Sequence, residues 1–158
     1  MENEDQLLDS GEIRSVPESN AMLSRVLTGL EVLALIAWLL AILFKILSWS
    51  GSNEILLYSS IALAVIMMLW RRVHQELAIS LAAIAIAVNF LGTAGTLLQS
   101  PWGSTVRMAG IFGCGMAALF LIYCLIKKEN NKSYLFWLLR VFLYGINPTW
   151  LIFIYLAV

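Results

Sequence analysis

Three ionisable side chains, Glu31, Lys45 and Arg140, lie inside long apolar runs of this chain. Burying a charge in hydrocarbon is costly unless the group is paired or wetted, so such residues mark positions with a function. Only residues 32–44 separate Glu31 from Lys45. That helical distance of about 20 Å puts both groups inside the margins of a ~30 Å hydrocarbon layer. Lys45 has the longer stem and can snorkel outward to Trp49 and the headgroups. Arg140 enters the last apolar run to the same depth as Glu31 enters the first, counted from the same side. The matched depths predict a Glu31–Arg140 pair that docks the last helix on the first. The alternatives are a water-filled funnel, or Glu31 reaching only Arg25 and Thr28 at the boundary.

Asn89 falls near the middle of the third apolar run, where a side-chain amide serves as interhelical glue more often than as an ion ligand. Asn147-Pro148 interrupts the last run, because proline removes a helical hydrogen bond and crowds the preceding turn. The run is read as one kinked helix, with two half-helices as the alternative. Gly92 and Gly95 in the third run face Ala109, Gly113 and Ala117, spaced by four, in the fourth. Small residues at that spacing let helix backbones approach closely, so these two helices are expected to form a tight hairpin.

The chemistry of enzymes is missing from the pattern. The chain has no H-E-x-x-H, nucleophile elbow, phosphate loop or Cys/His cluster with metal spacing. We assign no catalytic residue, cofactor or metal; a lipid- or quinone-linked enzyme stays as an alternative without nameable residues. His74, beside Arg71 and Arg72, reads as a solvated loop residue. Cys114 and Cys124, ten helical residues and about 15 Å apart, are out of disulfide reach.

The elements that position these residues are transmembrane helices. Of 158 residues, 61% are apolar and 13% charged, with a mean hydropathy of +0.85. A soluble domain needs more charge than that to cover its surface. Ten basic and ten acidic residues leave no net field to recruit nucleic acid. The fold expected is all-α and polytopic, with four to five spans at about 26–49, 55–70, 77–98, 106–126 and 134–158. It forms two short-turn hairpins plus a Pro-kinked C-terminal helix. The second span is short, about 24 Å, unless it starts before Glu54.

Residues 1–24 carry Glu2, Glu4, Asp5, Asp9, Glu12 and Glu18, and read as an acidic cytoplasmic tail rather than a signal peptide, which needs a basic start. Residues 25–158 form the membrane domain. With the N-terminus inside, Arg14, Arg25, Arg71, Arg72, Lys127, Lys128 and Lys132 all fall on the cytoplasmic side, while Lys45 and Arg107 fall near outer ends. Trp49 and Trp102 would mark the outer aromatic belt, and Trp70, Tyr123, Tyr134 and Trp137 the inner one. The segments around Trp49-Ser50-Gly51-Ser52 and Trp102-Gly103-Ser104 share a pattern that suggests an internal duplication.

Leu43-Phe44-Lys45-Ile46, then Trp49, Gly51, Glu54 and Leu56, resemble the transmembrane hairpin of the GldL family. That family supplies the motor component of gliding motility and type IX secretion in Bacteroidota. The resemblance covers about residues 41–68, one hairpin. It implies a membrane complex in which a first-helix lysine, matched by Lys45, and a second-helix glutamate serve proton-driven rotation. The glutamate position falls near Leu63, and residues 55–70 hold no carboxylate. The long cytoplasmic region of the motor protein is also missing.

The expected function is therefore a non-enzymatic scaffold or accessory subunit of an envelope complex in the bacterial inner membrane. Its partners would be lipids and either further copies of itself or a larger assembly. The alternative is a small transporter or channel with a polar path near Glu31, Asn89 and Arg140.

Overall fold

A computed structural model of the chain describes residues 18–74, 76–127 and 132–157, with side chains described within 22–145 of these. Its elements are α1 (Glu18–Ile46), α2 (Ser52–Val73), α3 (Leu77–Leu97), α4 (Gly103–Lys127) and α5 (Lys132–Ala157). Among the described residues there are helices and turns only, so the fold is all-α. Four helical segments, Met22–Ile46, Ser52–Val73, Leu77–Leu97 and Gly103–Lys127, are long and apolar enough to cross a membrane. α5 runs through Pro148 as one helix, which removes the two-half-helix alternative. Of the expected acidic tail, residues 1–17 lie outside the described residues, and residues 18–24 belong to α1.

Two span boundaries differ from expectation for local reasons. α2 has 22 residues, about 33 Å, because its first turn takes in Ser52, Asn53 and Glu54 and its last turn Arg71 and Arg72. Charged residues at a helix end continue the backbone ladder while their heads reach water. α1 stops at Ile46, before Trp49, because Ser48 adopts a left-handed conformation, φ 55°. Trp49 N–H then donates to Phe44 O at 2.9 Å and Ser48 N–H to Lys45 O at 3.1 Å, a Schellman closure. The Trp49 ring stacks on Phe44 at 4.8 Å, the apolar contact that accompanies this motif.

The α3–α4 turn closes in the same way, with Gln99 at φ 57° and Ser100 N–H donating to Gly95 O at 2.8 Å. Ser48 and Gln99 are thus equivalent, whereas Trp49 and Trp102 are not: Trp102 accepts from Val106 N–H at the start of α4. The shared pattern is a turn geometry, and the two tryptophans do not correspond.

α3 is the central helix, packed against α2, α4 and α5, while α1 packs on α2. Its closest neighbour is α4, as the small residues predict. A methyl group at Gly92 would strike the backbone of Arg107, and one at Gly110 would lie 2.6 Å from the backbone of Asn89. Gly95 and Gly103 meet at the turn, Gly113 faces Ala85, and Ala117 is buried. Ala109 is exposed and does not belong to the packing face, which runs through Gly103, Gly110 and Ala117. The four-residue spacing from Ala109 reached the face only at Gly113 and Ala117; Gly110, beside it, is the contact residue.

Candidate functional site: a charged cluster between three helices

Trp137, Arg140 and Tyr144 are spaced by three and four residues, so they share one face of α5. Trp70 stands near the end of α2, and Glu31 lies near the middle of α1. The packing brings these residues together. Arg140 Nη2 donates to Glu31 Oε2 at 2.7 Å, forming the ion pair that the matched depths predict. Trp70 Nε1 donates to the same oxygen at 3.0 Å, and Tyr144 Oη donates to Glu31 Oε1 at 2.7 Å. One carboxylate thus accepts from α2 and α5 while belonging to α1. Glu31 is 2% exposed and Arg140 5%, so neither reaches a water-filled funnel, and Glu31 does not turn to Arg25 or Thr28. Thr28 instead donates to Ser24 O.

The guanidinium is held on its faces as well as its edge. Its central carbon lies 4.5 Å from the Phe136 ring, 4.6 Å from Trp70 and 4.8 Å from Trp137. Rings with negative faces around a desolvated cation stabilise it where water is excluded. Trp70, Tyr134 and Trp137 are therefore buried inside the bundle and do not form the inner aromatic belt; Tyr123, Trp49 and Trp102 are exposed.

His74 also departs from expectation. It stacks on Trp70 at 5.6 Å and meets the Trp137 edge at 6.1 Å, so it is half-buried against the two indoles that hold Arg140. Burial pushes its imidazole below the ordinary histidine range, Glu76 opposes this, and Arg140 adds to it.

Asn89 is fully buried and donates Nδ2 to Tyr144 O at 2.8 Å and to Gly145 O at 3.4 Å. It bridges α3 and α5, the glue role. Lys45 Nζ donates to Asn53 Oδ1 at 2.6 Å in an exposed hydrogen bond that ties the end of α1 to the first turn of α2. The Asn147 and Pro148 side chains lie outside the described residues. Leu63 is fully buried.

Among the described residues no group of His, Cys, Asp and Glu could hold a metal, and both cysteines are free. Trp70 and Tyr144 are partners the sequence reading missed; the Trp137, Arg140, Tyr144 spacing was the available signal for the α5 side. Comparison of the chain with family models, with curated proteins and with solved structures finds no match.

Proposed function

We propose that this chain is a non-enzymatic integral membrane scaffold or accessory subunit of an envelope complex. The observation that carries the reading is the use of Glu31: both carboxylate oxygens are taken by donors from α2 and α5. The most costly groups to place in a membrane are spent on holding three helices in one arrangement. The resemblance of residues 41–68 to a GldL-type hairpin supports membership of a larger assembly, and Leu63 in place of the carboxylate speaks against motor activity.

In this reading α5 is the fifth span, and the protein sits in the bacterial inner membrane with its N-terminus in the cytoplasm. Arg71, Arg72, Lys127 and Lys132 at the α2–α3 and α4–α5 ends support that orientation. The test is gentle extraction from the native membrane through an N-terminal tag, followed by native mass spectrometry. A defined homo-oligomer or a reproducible partner is expected. A lone protomer, from cells whose deletion strain has lost only the flux of a solute, would contradict it.

A small transporter or channel is the second reading, favoured by one observation. Asn89 Oδ1, Thr93 Oγ1 and Arg140 Nη1 are buried polar atoms without a hydrogen-bond partner among the described residues. Isolated waters enclosed within the bundle, the beginnings of a polar path, would satisfy them. Thr93→Val keeps the shape and removes one such atom; loss of flux in proteoliposomes with assembly intact would favour transport.

A further inference from the structure

Two apolar depressions line the outer side of α5. One, of about 660 Å³, is bounded by Lys132, Leu135, Phe136, Leu138, Leu139 and Phe142. The other, of about 190 Å³, lies between α4 and α5, with Cys114, Gly115, Ala118 and Gly145 along its walls. Phe142 borders both, and the larger one runs as a furrow along α5. Leu135, Leu139 and Phe142 are each about half exposed along it, and Lys132 is the charged residue at one end.

The dimensions and charge select the occupant. Lys132 to Phe142 is ten residues of helix, about 15 Å, which is half of a ~30 Å hydrocarbon core. The furrow therefore has the depth of one leaflet, with its cation at the level of the headgroups. The buried Glu31–Arg140 pair is internal to the bundle, so its carboxylate does not reach the exposed Lys132. Lys127, which sits over the Tyr123 ring, adds a second cation at the same end of the bundle.

We propose that this furrow is a binding site for an anionic phospholipid, whose phosphate is held at Lys132 while one acyl chain lies along Leu135, Leu139 and Phe142. The site rests on the reading of α5 as a membrane span. An uncharged or zwitterionic lipid fills the same groove but brings no net negative charge to Lys132. A juxtamembrane cation attracts anionic headgroups by an amount equivalent to about a fivefold preference.

Native mass spectrometry of the full chain, delipidated and then titrated with phosphatidylglycerol or phosphatidylcholine of the same acyl length, tests the proposal. Phosphatidylglycerol should be retained about fivefold better. Lys132→Gln should abolish the preference, and Leu139→Trp, which fills the groove, should lower retention of both lipids. Lys45→Gln, at the opposite end, should change neither. Equal retention of the two lipids by the parent chain, or retention that Leu139→Trp leaves undiminished, would overturn the site. Labelling of Leu139→Cys in membranes by an aqueous maleimide would overturn the span and the site together. Protection of that cysteine with unselective lipid retention would overturn the site alone.

Discussion

Asn89 Nδ2 lies 2.8 Å from the carbonyl oxygen of Tyr144, the acceptor that Pro148 leaves without its helical donor. In an uninterrupted helix the N–H four residues on would occupy that oxygen, and proline has none. A residue of α3 thus repairs the backbone of α5. Such repair by neighbouring helices is the condition under which proline is tolerated in a membrane helix. Asn89→Leu should destabilise the protein by about 1–2 kcal/mol. Pro148→Ala should remove most of that cost, since the restored N–H serves the same carbonyl. Unfolding of the two single variants and the double variant in bicelles measures the coupling; additive losses would contradict the bridge.

The α3–α4 contact should respond to one residue and ignore its neighbour. Gly110→Ala places a methyl group against the Asn89 backbone and should cost about 1–3 kcal/mol through forced separation of the helices. Ala109→Leu adds far more volume on an exposed face and should stay within about 0.5 kcal/mol of the parent. Thermal unfolding in a single detergent decides between them, and a reversed order would place the packing face on Ala109.

Acid should weaken the bundle end near the α2–α3 connection. Folding holds the His74 imidazole below its ordinary value, so as pH falls through about 6.5 the unfolded chain takes up the proton first. Stability contributed by neutral His74 is complete above that pH and declines below it, until the folded state protonates too. Glu76 limits the effect, and Arg140, over the same two indoles, reinforces it. His74→Phe keeps the stacking and should flatten this part of the pH profile of the unfolding midpoint. An unchanged slope would assign the pH dependence to other groups.

The helices and their pairing were legible because length, apolar runs and small-residue spacing are local properties of the chain. Glu31 and Arg140 could be matched because depth in a membrane is counted along each helix separately. Rotation about the helix axis is not written in that count. Ala109 and Gly110 differ by about 100° of rotation, and only the partner helix decides which faces inward. Trp70 and Trp137 misled for a related reason: an aromatic at the right depth suits an interfacial belt and a buried cage equally, and the indole N–H of Trp70 found Glu31 rather than a headgroup. Turn closure at Ser48 and Gln99 was hidden because neither residue type favours the left-handed region as glycine does.

The most direct test of the account is a double-mutant cycle on the unfolding free energy in bicelles, using Arg140→Met, Glu31→Met and the two together. If the cluster is a structural clamp, each single variant leaves the other partner buried and uncompensated and should cost about 3–5 kcal/mol. The double variant should cost less than the sum by at least about 1 kcal/mol. Single losses near zero, with solute flux in proteoliposomes abolished by either change, would contradict the clamp and make Glu31 and Arg140 parts of a transport path.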